Sequence, residues 1–143
     1  MSLVVVTGLY ANPDGKKDKW MREMNQARRE FITKELKLSP SQETRFFAQY
    51  DAMDTEMRSL YDNLRRQEKT VEKKGSKATE AECLALSQEM FEAKAKEGAI
   101  EMKYYKKFKE ILSPGQLVKL KKVERDFRRK MAREQRKVHK KGK

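Results

Sequence analysis

Few side chains in this sequence can do chemistry. His139 is the sole histidine and Cys83 the sole cysteine. One imidazole and one thiol cannot assemble the four ligands of a structural zinc site. His139 sits in "RKVHKKGK", among lysines near the end of the chain, a solvated setting unlike that of a tuned general base. Glu80 and Glu82 could be read as an acid–base pair. They follow Thr79 at the start of a helical run, however, where negative charge offsets the helix dipole. Met21/Met24 and Met53/Met57 have helical spacing that would suit a soft metal, yet they fall on apolar stripes, and packing accounts for them. There is no glycine-rich phosphate loop; Gly75 and Gly142 read as turn and tail glycines. The expectation is a protein that is not an enzyme and takes no cofactor or metal.

The spacing that does repeat is of another kind. "KLSPSQ" at 37–42 and "ILSPGQ" at 111–116 share the frame Leu-Ser-Pro-x-Gln. In the first, the Ser39 hydroxyl can accept from a free N–H of a helix's first turn. Pro40 falls at the first helical position, where its missing N–H costs nothing. Gln42, three residues after the cap, can reach back to the Ser39 backbone and close a capping box. Leu112, Ser113, Pro114 and Gln116 repeat the logic of Leu38, Ser39, Pro40 and Gln42. Both boxes read as devices that start helices and do no chemistry.

Four helices follow from the periodicity. The first covers about residues 16–36, with Trp20, Met24, Ala27 and Phe31 on one side and Met21, Ile32 and Leu36 beside them. The second begins at Ser39, carries Phe46, Tyr50, Met53, Met57, Leu60 and Leu64 at heptad-like steps, and meets no breaker before "KKGSKAT" at 73–79. The third starts after Thr79, returns as a hairpin and is predicted to run to about 111. It bears two apolar stripes: Leu86, Met90, Ala93, Ile100, Tyr104 and Ile111, and, about 100° around the axis, Leu84, Phe91, Ala95, Gly98, Met102, Tyr105 and Leu112. Two stripes call for two packing partners, the second helix and a second copy of the chain. Phe91, Gly98, Met102 and Tyr105 are the candidate dimer-interface residues. The fourth helix has Leu120, Val123, Phe127 and Met131, after which the apolar positions stop. The expectation is an all-α, elongated four-helix protein with a helical hairpin, a single domain over 12–131 and a basic flexible tail over 132–143.

Charged residues make up 40% and apolar residues 37%, too polar for a thick core. The net charge is +13. Residues 119–143 hold thirteen Lys/Arg against Glu124, Asp126 and Glu134, hence +10, which leaves +3 for the rest. A basic tail calls for an acidic partner: nucleic acid, an anionic membrane or an acidic protein surface. With one cysteine no intrachain disulfide exists, and Cys83 is expected to be a small buried thiol. No stretch approaches the ~20 apolar residues of a membrane span. "VVVTGLYA" before "NPDG" reads as the back half of a signal peptide, so residues 1–11 are expected to be a signal remnant.

Two Leu-Ser-x-x-Gln boxes, each opening a charged helix and separated by a hairpin, make the chain resemble the Spy/CpxP-like family, bacterial periplasmic proteins known for an LTxxQ motif. The resemblance covers about residues 16–135. Serine replaces threonine in both boxes, and the histidines on which the metal-binding branch depends are lacking. The resemblance implies a cradle-like antiparallel homodimer in the periplasm, acting as an ATP-independent chaperone or as an envelope-stress modulator on a partner protein. Basic and apolar helix surfaces would attract acidic, partly unfolded proteins, with Arg58, Arg65, Arg66, Lys103, Lys106 and Lys107 as candidate contacts. Two other readings stay open: a helical nucleic-acid-binding protein acting through the tail, and an adaptor dimer with one partner.

Overall fold

In a computed structural model of the chain, residues 13–142 are described; the segment 1–11, where the signal remnant is expected, lies outside them. Four helices account for nearly all of these residues, with no strand among them: α1 (Pro13–Leu36), α2 (Pro40–Lys74), α3 (Glu80–Phe108) and α4 (Pro114–Lys141), with a 3₁₀ turn, Gly75–Lys77, between α2 and α3. The protein is all-α. The described residues divide into two compact units, one formed by Leu38–Lys119, the other by residues 13–37 and 120–142.

The first unit is a hairpin of α2 and α3. At 35 residues, α2 is about 52 Å long. Gly75 ends it at φ 53°, a left-handed backbone that costs glycine little. The Thr79 hydroxyl then accepts from the Glu82 N–H at 3.1 Å and caps α3. Lys74 and Glu82 close the turn with an ion pair at 2.6 Å. The core is aromatic and sits at the end away from this turn. Phe46, Phe47 and Tyr50 of α2 meet Tyr104 and Phe108 of α3, all buried. The Phe46 ring lies 5.0 Å from Phe47, 5.2 Å from Tyr50 and 4.9 Å from Phe108. Towards the turn the seam thins: Met53, Met57, Leu60 and Leu64 are half-buried, and Ala93 is the buried residue of α3 on that side.

In the second unit α1 buries Ile32 and Leu36, and α4 buries Leu120, Val123 and Phe127. Phe31 and Phe127 pack with ring centres 5.6 Å apart, and Lys130 lies over the Phe31 ring at 5.5 Å.

Three expectations need correction. Helix α3 stops at Phe108 and not near 111. The N–H groups of Ile111 and Leu112 turn onto the Phe108 carbonyl at 3.0 and 2.8 Å. Pro114 disfavours helical backbone at the residue before it, and Ser113 must be free to cap. Helix α4 continues ten residues past Met131 to Lys141. The added residues are mostly Ala, Arg, Glu, Gln and Lys, good helix formers that need no apolar stripe. Cys83 is exposed, not buried; it stands in the first turn of α3, where the hairpin is thin.

Candidate protein-interaction surface

The two boxes form the fixed point of the hairpin unit. The Ser39 hydroxyl accepts from the Gln42 N–H at 3.2 Å, while the Gln42 Oε1 accepts from the Ser39 N–H at 3.1 Å. Ser113 and Gln116 do the same at 3.2 and 2.9 Å. Leu38 is half-buried and Leu112 buried behind these caps. The glutamines then join the boxes. Gln42 Nε2 donates to Gln116 Oε1 at 2.9 Å and to the Ile111 carbonyl at 3.1 Å, and Gln116 Nε2 donates back to Gln42 Oε1 at 3.2 Å. Each amide accepts from its own cap and donates across, which a carboxylate cannot do. Gln42→Glu keeps the capping acceptor, loses both cross-donations and turns a negative charge onto the Gln116 oxygen. We expect it to lower stability by about 1–3 kcal/mol, read by urea unfolding. Gln42→Glu matching the native midpoint would show that the cross-link adds nothing.

Two tyrosine–glutamate ties join α2 to α3 along the hairpin. The Tyr104 hydroxyl donates to Glu56 at 3.0 Å, and Lys103 donates to the same oxygen. Farther along, the Tyr61 hydroxyl donates to Glu97, which Lys94 also pairs at 3.4 Å. The Lys103 ammonium, helped by the Tyr104 hydroxyl, holds the Glu56 carboxyl below its ordinary value. Its bond to Glu97 pushes Tyr61 up, and burial, then Glu56, pushes Tyr104 up. A depressed carboxyl contributes stability that is complete above its ordinary value, near 4.5, and is lost as pH falls through the folded value. Melting temperature should therefore fall more steeply below about pH 4.5 in the native chain than in Glu56→Gln. Parallel curves would mean that the tie does not couple to folding.

The candidate basic contacts do not converge. Arg58 pairs with Asp54 at 3.3 Å, Arg65 with Asp62, and Arg66 donates to Asn63. Lys103 is held by Glu56, and Lys103 and Lys107 lie over the Tyr104 ring at 5.1 and 5.0 Å. In the antiparallel hairpin Glu56 meets Lys103 and Tyr61 meets Glu97. Arg65 and Arg66 are therefore roughly 15 Å farther towards the turn than Lys103. Arg66 borders a groove of about 310 Å³ between α2 and α3, lined also by Leu60, Leu64 and Ala93. Lys106 is exposed beside Tyr105.

The apolar candidates do come together. Leu84, Gln88, Phe91, Ala95, Gly98, Met102 and Tyr105 recur at steps of 4, 3, 4, 3, 4 and 3. That is the spacing of a coiled-coil seam, and it runs about 32 Å. All seven are exposed: Phe91 at 82%, Leu84 at 69%, Met102 at 55% and Tyr105 at 42%. A Cβ built on Gly98 would have nothing within 4 Å. The hairpin's own packing uses the other stripe, so this seam is spare. Sequence reasoning found Phe91, Gly98, Met102 and Tyr105 but missed the glutamine link and both tyrosine ties. Nothing local announces a contact between residues so far apart in the chain.

Among the described residues no helix is long and apolar enough to cross a membrane. No curated protein and no solved structure matches the chain significantly. One family model does match, that of the LTXXQ motif family protein, over residues 24–124. Both boxes fall within that span and most of the chain is covered, so the protein belongs to the LTXXQ motif family, the family of Spy/CpxP-like periplasmic proteins.

Proposed function

We propose that this chain is a periplasmic protein-binding homodimer, an ATP-independent chaperone or envelope-stress modulator that holds proteins without catalysis or cofactor. The exposed α3 seam carries the reading. An isolated chain has no use for seven solvent-facing positions at coiled-coil spacing, and contiguous exposed apolar surface marks an interaction site. A second copy covers the seam. Met90 and Val118 of the hairpin unit and Trp20 of the other unit remain exposed outside it, and each unit has a surface with exposed lysines and arginines. Long-range attraction brings acidic, partly unfolded clients to that surface, and short apolar contacts, methionine among them, adapt to varied shapes. Family membership supports the same location and kind of activity.

The test is aggregation of a chemically denatured client on dilution, without ATP, at one- to several-fold excess of this protein. Suppression that persists at moderate salt supports holding through apolar contacts. No delay at any ratio rules out a general chaperone and leaves a dedicated partner.

A further inference from the structure

The part of the molecule this function does not use is the outer face of α4. Lys122, Arg125, Arg129, Arg133, Arg136 and Lys140 recur at steps of 3, 4, 4, 3 and 4. At 100° per residue they fall on one line along the helix, about 27 Å long. All six are exposed, and the helix is continuous through them. The line runs on the opposite side of the axis from Leu120, Phe127, Met131 and Val138. Asp126, beside the line, takes Lys122 at 2.7 Å at its first position. From Arg129 onward the line runs to Lys140 with Glu134 well off it, near the apolar side.

The apolar side of this helix is committed, since Phe127 packs on Phe31. The helix therefore cannot roll over and insert as an interfacial amphipathic helix does. What it offers is a straight row of cations that touches a flat anionic surface along its whole length. Double-stranded DNA fits less well, because its phosphates wind away from a straight line. Single strands would want aromatic platforms, and the one aromatic residue beyond Lys119 is the buried Phe127. We propose that the α4 ridge docks the protein on a bilayer surface rich in anionic phospholipid, by charge and without insertion.

Co-sedimentation of the full chain with vesicles of phosphatidylglycerol and phosphatidylcholine, against phosphatidylcholine alone, tests this. The native chain should bind the anionic vesicles, release in salt and ignore the neutral ones. A basic residue at an anionic surface contributes about fivefold. The triple substitution Arg129→Gln, Arg133→Gln, Arg136→Gln should therefore weaken binding about 100-fold, while the corresponding triple lysine variant stays within a few-fold of native. Circular dichroism checks that both remain helical. If the glutamine variant loses helix, the lysine variant and the neutral vesicles still decide. Equal binding to neutral vesicles, native-like binding by a helical glutamine variant, or loss of binding in a helical lysine variant would overturn the proposal. So would complete transfer of the chain from vesicles to duplex DNA at equal phosphate. Client holding needs no lipid, so its failure and the failure of this docking are read in separate assays.

Discussion

Phe46→Ala is expected to lower the stability of this chain by about 3–5 kcal/mol, a large share of the roughly 5–15 kcal/mol that holds a domain of this kind together. Phe46 is wholly buried and touches Phe47, Tyr50 and Phe108. Removing its ring opens a cavity where α2 meets the last turn of α3, beside both capping boxes. Long helices that each bury only one stripe have little other core to absorb the loss. Met57→Ala, half-buried in the thin part of the same seam, should cost less than half as much. Urea unfolding followed by circular dichroism at 222 nm measures both. If Phe46→Ala lies within about 1 kcal/mol of native, the aromatic end is not the centre of stability.

The expected pattern of helices was legible because its causes are local. A serine, a proline and a glutamine in sequence are enough to start a helix, and both boxes do so through the hydrogen bonds their spacing predicts. Periodicity placed the second and third helices as a hairpin for the same reason. Errors arose where another rule competed with periodicity. At Ile111 and Leu112 the apolar pattern continues but the following proline stops the helix. After Met131 the pattern stops but helix propensity carries on. For the site, the spare seam was legible as a second stripe, to which the structure adds Gln88 and from which it withdraws Leu112, which is buried. The pairing of Gln42 with Gln116 could not be read. Each glutamine is already explained by its own cap, and the added role depends on 74 residues of chain returning to the same place.

Replacing both Phe91 and Met102 by Glu is expected to convert the proposed dimer to a monomer while leaving the hairpin folded. Neither residue contributes to the buried core. Burying such side chains at an interface is worth about 1.5–3 kcal/mol each, and each occurs twice in a homodimer, so the loss of all four should raise the dissociation constant by at least about 10⁴-fold. Sedimentation velocity over a concentration series reads this, with circular dichroism confirming the helix content. The family resemblance implies an antiparallel partner, and the seam's sequence is compatible with one. Pairing Phe91 with Met102 of the partner subunit sets Ala95 opposite the partner subunit's Gly98. The small residues then meet at the centre, where two backbones can come close, between bulkier layers. The same register brings Lys94 opposite the partner subunit's Glu101, so the flanking charges attract. This geometry gives Gly98 a purpose. A glycine within a helix costs about 1 kcal/mol relative to alanine, and within one chain nothing near its Cβ position requires it. Gly98→Leu should therefore stabilise the helix of an isolated chain and yet weaken the dimer. If Gly98→Leu leaves the dissociation constant unchanged, the two copies do not cross at this point; if the native chain is a monomer at micromolar concentration, the seam serves a partner other than itself.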